Sequence, residues 1–128
     1  MSAALQPFIG KAYARGGRGP EAFDCWGLVL AVRGALGLVR PPDFGAPTLT
    51  AQEQAALAEA SDLARAWPEV DAGALRDGTI AYAWSMAHAG VVIGGRVVHC
   101  VDRYGVVAWS FGRWTSLYPK TRFYEWHT

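Results

Sequence analysis

The chain is 128 residues long, 52% apolar and 18% charged, with acidic and basic side chains cancelling to a formal +1. That length fits one domain able to bury a core without disulfide or metal staples, and the balanced charge, lacking any basic stripe, excludes a nucleic-acid partner. No window approaches the roughly 18 to 20 apolar residues of a membrane span, so no membrane insertion is expected. Residues 1–10 read as carrying no export signal, and two cysteines are too few for a secreted disulfide framework.

Taken in chain order, residues 3–9 predict a short helix interrupted by Pro7, followed by a glycine-rich loop over 10–20. From Cys25 the apolar residues Leu28, Val29, Val32, Ala35 and Leu36 fall at helical spacing, with Asp24 as N-cap and Gly37 as stop. The stretch from Pro41 to Pro47 reads as an extended linker. Thr50, with Glu53 three residues later, reads as a capping box that opens an alanine-rich helix to about Trp67, ended by Pro68. Beyond Gly73 come short runs rich in valine and aromatics, predicting strands at 79–84, 88–93, 96–101, 106–110 and 122–126. Helices precede strands, which predicts an α+β fold over residues 1–128 as one domain, with N-terminal helices packed on a C-terminal antiparallel sheet.

The residues that carry chemistry are Cys25, His88 and His99. Gly94-Gly95 between Ile93 and Arg96 predicts a two-residue hairpin turn, because paired glycines accept the positive φ angles that such turns need. The turn sets a register: Ile93 opposite Arg96, Val92 opposite Val97, Gly90 opposite His99. His88 and His99 then share a sheet face as diagonal neighbours, and Gly90 leaves room beside both rings. If that face lies under the start of the Cys25 helix, His88 is placed to take the thiol proton and His99 to orient His88, while the helix N-terminus favours a thiolate and imidazolium pair. The Cys25 backbone N–H, unpaired at the helix start, can stabilise an oxyanion. The same register is expected to turn Cys100 away from Cys25, so a disulfide would require a slipped ladder, and no CxxC or HExxH spacing supports a metal site. No cofactor is called for.

The motifs Tyr13-Ala14-Arg15-Gly16-Gly17, Phe23-Asp24-Cys25-Trp26-Gly27-Leu28-Val29, His88-Ala89-Gly90-Val91-Val92-Ile93 and Val97-Val98-His99, in that order, resemble the NlpC-type cell-wall peptidases. These are papain-like cysteine peptidases that cut peptidoglycan stem peptides through a Cys-His-His or similar triad. The resemblance implies Cys25 as nucleophile, His88 as base and His99 as the orienting residue. It also implies Tyr13 as an oxyanion or substrate contact, and Asp24 as a residue that in some members helps hold a free substrate amine. Trp26 is placed by the resemblance among the substrate-contacting residues, at a position where many bacterial members have serine. The Trp26 form looks most like the peptidases of tailed bacteriophages and prophages, which implies a tail-tip or tail-assembly component, other tail proteins as partners, and a location in the virion or, before assembly, the host cytoplasm, with action at the cell wall.

The function expected is thus a tail-associated thiol hydrolase of peptidoglycan stem peptides. A structural tail subunit using the same fold as a docking module is the alternative, with Trp109, Phe111, Trp114, Tyr118, Phe123, Tyr124 and Trp126 as candidate interface aromatics. An acyltransferase or amidase would share the acyl-enzyme and differ in the acceptor.

Overall fold

The structure is a computed structural model that describes residues 5–43, 53, 68–83 and 87–126. Two short strands, β1 (Ala12–Tyr13) and β2 (Ala22–Phe23), pair in parallel and lead into helix α1 (Cys25–Ala35). Then follow β3 (Glu69–Val70), a 3-10 turn (Ala72–Ala74), β4 (Ile80–Ala83), β5 (His88–Ile93), β6 (Arg96–Val101), β7 (Gly105–Ser110), helix α2 (Phe111–Leu117) and β8 (Arg122–Tyr124). The main sheet has six strands in the order β3-β8-β4-β5-β6-β7, every neighbouring pair antiparallel. The α+β class with an antiparallel sheet is as expected. The helix expected over 50–67 lies outside the described residues apart from Glu53, which is helical, and the helix expected over 3–9 is a turn in its described part.

Helix α1 begins and ends where its capping residues require. The Asp24 carboxylate accepts the Gly27 N–H at 2.6 Å, so one of the orphan first-turn donors is satisfied. At the other end Gly37 adopts φ 73°, its N–H donates to the Gly34 carbonyl at 3.0 Å, and Leu38 N–H donates to the Arg33 carbonyl at 2.9 Å. This pair of bonds is the glycine-terminated Schellman stop. A Cβ at Gly27 would collide with the Gly17 carbonyl, so the glycine is what lets the preceding loop press onto the first turn of α1.

The hairpin register is the one the glycine turn predicts: Ile93 pairs with Arg96, Val92 with Val97 and Val91 with Val98. Which layer covers which face differs from expectation. Helix α1 packs on the face carrying Ile80, Tyr82, Ala89, Val91, Val98 and Cys100. The opposite face, with Ala81, Val92 and Val97, packs against Trp114 of α2 and Phe123 of β8. His88 and His99 belong to that second face by strand alternation, so α1 does not lie on the histidine face. The expectation that Cys100 turns away from Cys25 is therefore wrong: it lies on the α1 side, where its thiol contacts the Phe23 carbonyl at 3.3 Å. Both cysteines are free thiols.

The last turn of α1 is tied to the rest of the domain by Arg33, which is 1% exposed. Its guanidinium donates to the carbonyls of Val39 (2.9 Å), Gly78 (2.6 Å) and Trp126 (2.8 Å), joining the helix, the approach to β4 and the C-terminal segment. Replacing it by methionine keeps the stem and strands three buried carbonyls. We expect a loss of about 3 kcal/mol or more in the denaturant-unfolding free energy, and Arg33→Lys, which cannot reach three acceptors in one plane, recovers less than half.

Candidate active site

Cys25 opens α1, and His88 opens β5; both stand at one end of the layered structure, so the opposite-face packing does not separate them. They line a common cleft of about 250 Å³ with Tyr13, Ala87, Cys100, Val101, Asp102 and Tyr118. Ala87, immediately before His88, sits at φ 50°, a left-handed conformation costly for a residue with a Cβ and typical of positions held by surrounding structure at functional sites. A larger pocket of about 480 Å³, bordered by Phe8, Phe23 and Arg40, contains no cysteine or histidine.

Behind the cleft the two imidazoles are hydrogen-bonded, His88 Nε2 to His99 Nδ1 at 2.8 Å. His99 is fully buried. The room for it comes from Gly90: a Cβ there would stand 2.7 Å from Val97 Cγ1, 3.0 Å from the Val98 carbonyl oxygen and 3.3 Å from His99 Cβ. The pair is enclosed by aromatic rings from β7 and α2. His99 meets Trp109 edge to face at 4.2 Å, and His88 lies stacked against Tyr118 at 5.0 Å and Trp114 at 5.6 Å. The Arg113 guanidinium covers Trp109 at 4.2 Å from the ring centroid. No group of three or more His, Cys, Asp and Glu side chains among the described residues is placed to hold a metal ion.

Desolvation dominates the protonation of these groups. Burial pushes the Cys25 thiol up to about 11; the Asp24 carboxylate adds to this, while hydrogen bonding from the Ala89 and Trp26 backbones and the Arg18 charge act against it. Burial pushes His88 down to about 4, and burial, then His88 and Arg113, push His99 down to about 3. The helix-start argument favours a thiolate and imidazolium pair, but burial favours neutral thiol and neutral imidazole at rest. Tyr13 is raised by burial and then by Cys25, so its hydroxyl keeps its proton and can donate at neutral pH.

Two further residues named from sequence do not reach the cleft lining. The Asp24 carboxylate is 4% exposed as part of a buried residue, and its Oδ1 is held by Gly27 N–H and by Arg18 Nη1 at 2.7 Å. Trp26 is buried, packs on Tyr82 at 5.8 Å between ring centroids, and donates its indole N–H to the Pro42 carbonyl at 3.0 Å. Conversely, Asp102, which the sequence did not single out, and Tyr118, named from sequence only as an interface aromatic, line the cleft. The signal for Tyr118 was available: Ser110 as a helix cap, followed by aromatics at 111, 114 and 118, one helical face.

A scan against protein-family models finds no match, and a search of curated proteins also finds none. Solved structures do match. NlpC1 from Trichomonas vaginalis superposes with a TM-score of 0.60 and 21% identity over 87% of this chain and 38% of that one. A Staphylococcus aureus protein described as similar to lipoprotein, NLP/P60 family, superposes with a TM-score of 0.55 and 24% identity over 93% of this chain and 38% of that one. This chain thus spans well under half the length of either. The likeness shows that the chain has the fold of these NlpC/P60 structures.

Proposed function

We propose that the protein is a cysteine peptidase acting on peptidoglycan stem peptides, with Cys25 as nucleophile, His88 as base and His99 as the residue that orients it. The observation that carries the reading is the 2.8 Å bond between the imidazoles directly behind a cleft that Cys25 and His88 both line. The bond admits the tautomer that this chemistry needs. A neutral imidazole has one N–H, so if His88 donates from Nε2 to His99 Nδ1, its own Nδ1 is left as a lone pair for the thiol proton. His99 then carries its proton on Nε2, which has no oxygen or nitrogen partner among the described residues and can rest against the Trp109 π face.

In the acylation step the Cys25 proton moves to His88 Nδ1 as the sulfur attacks the peptide carbonyl carbon. The Cys25 backbone N–H and the Tyr13 hydroxyl stabilise the oxyanion. His88 returns the proton to the departing amine, leaving a thioester. Water then attacks the thioester carbonyl with His88 as base, releasing the acid and restoring the thiol. The NlpC/P60 fold supports peptidoglycan as substrate, and the Trp26 form of the nucleophile motif supports carriage on a phage tail with other tail proteins as partners. The docking-module alternative asks for displayed aromatics. None of the seven candidates is exposed: Trp114, Phe123, Tyr124 and Trp126 are buried and Trp109, Phe111 and Tyr118 are partly so.

Incubation with purified peptidoglycan, followed by mass spectrometry of soluble fragments, tests the proposal. New peptide termini within the stem are expected; fragments cut only in the glycan, or none, reject it.

A further inference from the structure

The helix that the sequence did not announce, α2, supplies a surface on which the candidate base lies. Trp114 and Tyr118 have ring centroids 4.5 Å apart and form a bent aromatic face, their planes inclined at 44°. The His88 ring is within 29° of parallel to both. That face is itself clamped: Trp114 Nε1 donates to Thr121 Oγ1 at 2.9 Å, and the Thr121 hydroxyl donates to the Tyr118 carbonyl at 2.7 Å. Trp114 is fully buried, whereas Tyr118 is half-buried and borders the cleft beside Cys25.

An imidazole has a soft torsion between its ring and its Cβ, with broad wells rather than staggered ones. A single hydrogen bond to His99 leaves rotation about that bond open. The bent aromatic face, with centroids 5.0 and 5.6 Å from that of His88, narrows it, because few ring planes satisfy both ring contacts and the 2.8 Å bond.

Resting on the function proposed above, we infer that Tyr118, backed by Trp114, is a positioning residue for His88: its ring fixes the imidazole plane so that Nε2–H is committed to His99 and Nδ1 faces the thiol. Tyr118 does this through its ring and not its hydroxyl. The substitution Tyr118→Leu therefore releases the plane, and Tyr118→Phe keeps it.

Nitrogen-15 NMR of histidine-labelled protein at neutral pH reads the device without any substrate. The wild-type and the Phe variant are expected to show His88 as a single Nε2–H tautomer with a resolved nitrogen–nitrogen coupling across the bond to His99. The Leu variant is expected to show mixed tautomers with the coupling lost. In the wall-digestion assay the Leu variant loses about tenfold in kcat with KM little changed, a split expected when orientation and not binding is lost. A Leu variant that keeps one tautomer and the coupling overturns the inference, as does a Phe variant as impaired as Leu. A wild-type protein that digests nothing, with the NMR pattern as expected, overturns the proposed peptidase and leaves Tyr118 as the residue that sets the imidazole plane.

Discussion

Cys25→Ala is expected to abolish release of peptides from purified peptidoglycan, by at least about a thousandfold in kcat, because the thioester cannot form without the sulfur. The fold should survive. Cys25 opens α1, and the start of that helix is held by the Asp24 cap and by Arg18 bonded to the same carboxylate, neither of which needs the thiol. Removing one sulfur at the edge of a cleft costs about 1 kcal/mol, so the unfolding midpoint should move little. Cys25→Ser is the sharper variant: nearly isosteric, it keeps every contact but presents a hydroxyl that a base driven down to about 4 by burial cannot readily deprotonate. It should be almost as inactive as alanine. Normal turnover by either variant rejects Cys25 as nucleophile.

Acid should unfold the protein earlier than its carboxylates alone would dictate. His88 and His99 are held neutral by burial, at about 4 and about 3 against an ordinary 6.5. Above 6.5 both are neutral in the folded and the unfolded chain and contribute no pH dependence. Below 6.5 the unfolded chain takes up protons that the folded chain refuses, so stability falls with falling pH and levels off only beneath the folded values. For His88 alone the interval from 6.5 to about 4 corresponds to about 3 kcal/mol. Denaturant unfolding at pH 7.5, 5.5 and 4.5 should show this loss, and the double variant His88→Gln, His99→Asn should flatten the slope across that interval. An equal slope in the variant would assign the acid sensitivity to groups other than these two histidines.

Much of this was legible in the residues. The start of α1 at Cys25 follows from Asp24, its stop from Gly37, and the pairing of His88 with His99 from two glycines at the hairpin turn and a third, Gly90, beside the rings. What could not be read was the layer order. β5 and β6 are apolar on both sides, with Ala89 and Val91 on one face and Val92 and Val97 on the other, and alternation alone does not say which helix covers which. Hence Cys100 was expected on the wrong side. Helix α2 was missed because it is seven residues long, contains Gly112, and is rich in aromatics that read equally well as strand. Its cap is present in the sequence, since Ser110 accepts the Arg113 N–H at 3.2 Å, but one cap is a weak signal beside so much β-forming composition.

The split of the two layers has a bearing on when the protein can act. Among the described residues, sulfur arrives from one face of the sheet and the imidazole wall from the other, with the strands as the frame between them. A nascent or proteolysed chain lacking either covering helix holds half a reaction centre. Under the proposed function, turnover should therefore vanish together with global structure during unfolding, with no active fragment persisting, so that activity would gauge complete folding.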